Sequence, residues 1–107
     1  APAYYFIKNN IREDEVLVTT TYIDRYSQWS GGIRTNNVIY YTYDEKDSEK
    51  VIFDAIETHP CGMIALDYPR GLLYARPVPL VSFSHAGKQV DFTGWFGGVY
   101  ILRWCNR

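Results

Sequence analysis

The stretch 80–105, LVSFSHAGKQVDFTGWFGGVYILRWC, decides how this chain is read. Apolar and aromatic segments alternate in it with turn residues, so Gln89 to Thr93 and Val99 to Trp104 read as strands. Ser84-His85-Ala86-Gly87 reads as a turn, and Gly94 to Gly98 as a glycine-rich loop. Upstream, Leu72 to Phe83 carries Pro77 and Pro79, which cannot donate to a ladder, so part of it is expected at a sheet edge or irregular. Tyr68-Pro69-Arg70-Gly71 marks a tight turn, Met63 to Leu66 a short strand, and His59-Pro60-Cys61-Gly62 a break. Val38 to Tyr43 and Val51 to Ile56 read as an antiparallel hairpin around the polar turn Asp44 to Ser48.

Nearer the start, the run Tyr4 to Ile7 reads as a first strand. Asn10 followed by Glu13 has the spacing of a capping box and predicts a helix from about Ile11 to Arg25. Within it, Val16 to Tyr22 is rich in β-branched residues and could equally alternate as a strand. The sum is an α+β single domain over 1–107, with one α-helix packed on an antiparallel β-sheet. There is no βαβ alternation in this reading and no glycine-rich phosphate fingerprint, so no nucleotide or other cofactor is expected.

Composition bounds the function. With 107 residues, 47% hydrophobic and 21% charged, the chain is of globular type and of one-domain size, and a monomer is expected. A formal charge of -1 denies it the broad positive field of a nonspecific nucleic-acid binder, so any RNA contact would be local. No apolar run approaches the roughly 18 residues of a membrane span. Ala1-Pro2-Ala3 resembles what remains behind a cleaved signal peptide, which suggests secretion.

Two cysteines, Cys61 and Cys105, are too few for a zinc site with the two histidines, and no Cys or His pair has the close spacing such sites use, so no metal is expected. They either pair as a disulfide, constraining the unfolded chain by about 3 to 4 kcal/mol in the entropic model, or stay as two buried thiols.

The order of the last strands, from Leu80-Val81-Ser82-Phe83 through Val90-Asp91-Phe92 and a glycine-rich loop to Trp104-Cys105, resembles the small guanyl-specific microbial ribonucleases. It also resembles the RNase-like secreted effectors of powdery mildew fungi, whose Tyr-x-Cys segment would correspond to Tyr4-Tyr5-Phe6-Ile7 and whose helix to Ile11 to Tyr26. The family's N-terminal cysteine is missing here, so the resemblance leaves Cys105 to find Cys61 or remain free. RNA cleavage on this fold needs a carboxylate base, a histidine acid and a cation on the phosphate. The loop in which the family places its histidine, Thr93 to Gly98, has none, and neither does Val38 to Tyr43.

The resemblance therefore implies a catalytically inactive effector that acts inside a host cell. Its expected partner is a host protein, with a plant intracellular immune receptor as one form of it and RNA as a weaker one. Trp95 and Phe96, flanked by Gly94, Gly97 and Gly98, are the main contact candidates, because aromatics at a loop tip are hard to bury together. Trp29 beside Ser30-Gly31-Gly32, Tyr68 and Arg70 complete the set. The competing readings are an active ribonuclease using His85 or His59 with Glu49, Asp54 or Glu57, and a bacterial immunity or inhibitor protein.

Overall fold

The computed structural model describes residues 2–20, 35, 37–42, 44–67 and 82–106. Helix α1 (Pro2–Asn10) leads into strand β1 (Val16–Thr19), followed by β2 (Val38–Tyr40), helix α2 (Glu45–Thr58), β3 (Cys61–Asp67), β4 (Phe83–His85), β5 (Lys88–Phe96) and β6 (Val99–Cys105). The strands form one sheet of six in the order β2-β1-β3-β6-β5-β4. The architecture is α+β, but with two described helices rather than one, and the sheet is mixed, with three antiparallel pairings and two parallel ones.

Tyr4 to Ile7, expected as a strand, is the middle of α1. The buried positions Ala3, Tyr4, Ile7 and Ile11 recur at three- and four-residue intervals while Tyr5 is exposed, the signature of a helix stripe. A four-residue apolar window is too short to show that period. Asn10, expected to open a helix, closes this one, its side-chain amide donating to the Phe6 carbonyl at 2.8 Å. The helix expected to follow is instead a turn and β1, whose Val16, Leu17, Val18 and Thr19 are all buried. The β-branched alternative was the correct one here; residues 21–25 lie outside the described residues.

Val51 to Ile56, expected as a strand, belongs to α2. Asp44 caps it, accepting from the Asp47 N–H at 2.8 Å, and Ile52, Ala55 and Ile56 form its buried stripe. The expected hairpin is thereby replaced by a β2-α2-β3 crossover. Such a connection allows parallel pairing, and β1 lies between β2 and β3, parallel to both, with Leu17 opposite Val38 and Met63. The Tyr41 hydroxyl ties this half together, donating to the Ala65 carbonyl at 2.6 Å.

The two described helices cover opposite faces of the sheet. Ile7 and Ile11 of α1 pack with Leu17, Met63, Ala65 and Ile101. Ile52, Ala55 and Ile56 of α2 pack with Val16, Val18, Ile64, Leu66, Leu102 and Trp104. Central strands covered on both sides read as unbroken apolar runs, as Met63 to Leu66 and Val99 to Leu102 do.

The strands expected at the end of the chain are present and longer than expected. β3 and β6 pair antiparallel over their full lengths, from Cys61 opposite Cys105 to Asp67 opposite Val99. Gly62 is required by the Trp104 ring, which lies where a Cβ would be. Ala86 and Gly87 turn β4 into β5, both with positive φ, and Gly97 and Gly98 do the same between β5 and β6.

Candidate functional site

The β5–β6 hairpin carries the most prominent exposed apolar surface among the described residues. Expected as a loop, Gly94 to Phe96 is the end of β5. The ladder has an irregularity there: Phe92 opposes Leu102, but Gly94, not Thr93, opposes Ile101. One extra residue on β5 makes a bulge and inverts the alternation of side chains. Residues directly opposite one another share a face. Phe92 therefore lies on the face of Leu102, which is the α2 side, and Trp95 on the face of Tyr100, which packs against the same core.

The result is a row of three aromatics beyond the cover of α2. Trp95 is 64% exposed and Phe92 36%. The Trp95 and Tyr100 rings lie within 20° of parallel with centroids 6.1 Å apart, and Phe92 stands 6.4 Å from Tyr100. Phe96 goes the other way. Its ring stacks on Phe6 of α1 at 4.3 Å and folds over Gly94, which has no side chain to obstruct it. The two neighbours expected to form one contact pair are thus divided between the faces. Trp95 remains available, whereas Phe96 anchors α1.

Phe92 and Tyr100, which complete the surface, were not among the sequence candidates. Phe92 and Trp95 are three apart, a spacing that puts them on opposite sides of a regular strand. The available sign was Gly94, since a glycine inside a strand pattern often marks a bulge. Trp29, Tyr68 and Arg70 lie outside the described residues.

The histidines and carboxylates occupy the other end of the α2 face. His85 Nε2 is 2.9 Å from Glu57 Oε2, and the imidazole packs on Phe53 at 4.4 Å between ring centroids. Lys88 Nζ donates to the carbonyls of Ile56, Glu57 and His59, which closes the C-terminal end of α2. The His59 ring Nδ1 lies 3.0 Å from the Thr58 hydroxyl. Asp54 pairs with Lys50 at 3.0 Å on the exposed side of α2, and Glu49 is exposed.

Arg103 lies across the sheet from these groups, on the α1 side. Its Nε donates to Glu15 Oε2 at 2.8 Å, and its Nη2 donates both to Glu15 Oε1 and to the Asn10 carbonyl. Glu15 is 1% exposed. Its hydrogen bond, and secondarily its charge, holds the Arg103 guanidinium above its ordinary range against the opposing effect of burial. Among the described residues, imidazole, carboxylate and guanidinium therefore do not converge on one point.

Cys61 and Cys105 form a disulfide, joining the first residue of β3 to the last of β6. Among the described residues no group of three His, Cys, Asp or Glu side chains could hold a metal ion, and no helix is long and apolar enough to cross a membrane. No family model, no curated protein and no solved structure matches this chain.

Proposed function

We propose that this chain is a disulfide-stapled recognition domain, without catalytic activity, that binds a protein partner through the aromatic row Phe92, Tyr100 and Trp95. On the resemblance of its last strands we place it with the ribonuclease-like secreted effectors of plant-pathogenic fungi. The partner is then a host protein, a plant intracellular immune receptor being the form the resemblance names. The strand and helix that the resemblance implies at Tyr4 to Ile7 and from Ile11 are here α1 and β1, so its support is the order of the last strands.

The observation that carries the binding reading is the exposure of Trp95 beside a near-parallel Tyr100 on a rigid hairpin. A bulge that turns two aromatics to the same open face costs a ladder hydrogen bond and leaves apolar surface in water, so it calls for a compensating contact. Aromatic anchors dominate protein interfaces energetically. A protein is favoured over RNA because the only lysine described on β5, Lys88, is engaged with backbone carbonyls of α2, and the whole chain carries a net charge of -1. The disulfide fits an oxidising compartment along the way.

The test is calorimetric binding of the purified chain to a host receptor domain. Trp95→Ala is expected to weaken binding at least about tenfold, the size of a hot-spot truncation, while Tyr5→Ala, an exposed aromatic on α1, leaves it unchanged. Equal affinity of the Trp95→Ala variant, or RNA turnover that His85→Ala abolishes, overturns the reading.

A further inference from the structure

The α1 side of the sheet holds a second feature, independent of the aromatic row. A cavity of about 120 Å³ opens between the end of α1, the turn before β1 and the end of β6, lined by Arg12, Glu15, Arg103 and Cys105. Two of its four lining residues are arginines with N–H groups to spare. Glu15 is saturated, accepting from the Arg12 N–H at 2.9 Å and from two nitrogens of Arg103, and its charge is matched by that guanidinium. Asp91, the cross-strand partner of Arg103, accepts instead from the Gln89 amide at 3.3 Å. The Arg12 guanidinium is exposed and has no hydrogen-bond partner among the described residues. The Nη1 edge of Arg103 likewise has no partner there.

We infer that this cavity is a binding site for a tetrahedral oxyanion, phosphate or sulfate, held between Arg12 and Arg103. The volume is that of a few water molecules, at roughly 30 Å³ each, which admits such a group. Two guanidiniums carried by different elements suit a tetrahedral acceptor, whereas a planar carboxylate is best matched by one fork lying in its own plane. The Glu15 pair fixes Arg103 before any ligand arrives, so little ordering is required beyond the Arg12 side chain. Bound oxyanion would tie the turn after α1 to the end of β6, next to the disulfide.

The test is a titration of the whole chain with inorganic phosphate, with sulfate and with acetate, each against chloride at matched ionic strength. The readouts are the arginine Nε–H resonances and the unfolding equilibrium. Phosphate and sulfate are expected to shift the Arg12 and Arg103 resonances saturably. At ten times the dissociation constant, the unfolding constant should fall about tenfold. Arg12→Gln, which keeps the backbone bond to Glu15, should fold as the parent does in chloride and lose both responses. Non-saturable shifts, a response that survives Arg12→Gln, or acetate binding as tightly as phosphate would each overturn the assignment. Arg103→Lys, which retains a charge for Glu15, is expected to fold and to bind phosphate at least several-fold more weakly; unaltered affinity in it would equally overturn the site.

Discussion

Phe92 and Trp95 stand three residues apart on β5 and yet face the same side of the sheet, because the pairing with β6 skips Thr93. The same irregularity turns Phe96 toward α1. One inserted residue thus both assembles an exposed aromatic row and secures a helix on the opposite face.

The two adjacent aromatics should therefore respond very differently to truncation. Trp95→Ala removes an exposed ring and is expected to change stability by no more than about 0.5 kcal/mol. Phe96→Ala removes a half-buried ring stacked on Phe6, and a loss of roughly 1 to 3 kcal/mol is expected. Urea unfolding of both variants measures this, and equal losses would contradict the division of the faces.

Glu15 and Arg103 form an ion pair with a buried carboxylate that joins the turn before β1 to β6. Arg103→Met strands a buried carboxylate and is expected to cost about 3 kcal/mol or more. Replacing both partners, Glu15→Leu with Arg103→Met, should recover most of that loss, since an apolar pair of similar volume needs no charge compensation. A double variant no more stable than Arg103→Met alone would argue that the pair's other bonds, to the Arg12 N–H and the Asn10 carbonyl, matter more.

Ala86 occupies the left-handed region, with φ 51, in the two-residue turn between β4 and β5. A Cβ is disfavoured there by about 1 kcal/mol, and Asn-Gly is the preferred pair for such a turn. Ala86→Asn is expected to stabilise the protein by roughly 0.5 to 1 kcal/mol, raising the urea midpoint without altering the slope. A lowered midpoint would mean that the turn is held by something other than its backbone geometry.

The disulfide should resist small thiols while the chain is folded. Cys105 is exposed and Cys61 is fully buried, so a glutathione thiolate reaches only the Cys105 sulfur. That attack forms a mixed disulfide at Cys105, breaks the bond to Cys61 and leaves the electron pair on a desolvated Cys61 thiolate, a poor leaving group. Reduction followed by alkylation and mass measurement is expected to run at least about tenfold slower in buffer than in urea. Equal rates would show that Cys61 is attacked directly.

Much of the second half of the chain was legible from residue pattern. The β3, β5 and β6 segments were recognisable because their apolar runs are bounded by Gly and Pro, whose backbone preferences act locally. The first half was not. Tyr4 to Ile7 and Val51 to Ile56 are apolar windows equally compatible with either period, and what made them helices is the stripe that each presents to a sheet face assembled from distant strands.

On its own, the sequence determined that strands would close the C-terminal end of an aromatic-rich α+β fold and that two cysteines were available to pair. Tertiary structure alone decided which face each aromatic of the hairpin occupies, that the cysteines lie opposite one another, and that Arg103 finds Glu15. These outcomes depend on strand register, and register is set by the summed burial of both faces, which no local stretch of residues encodes.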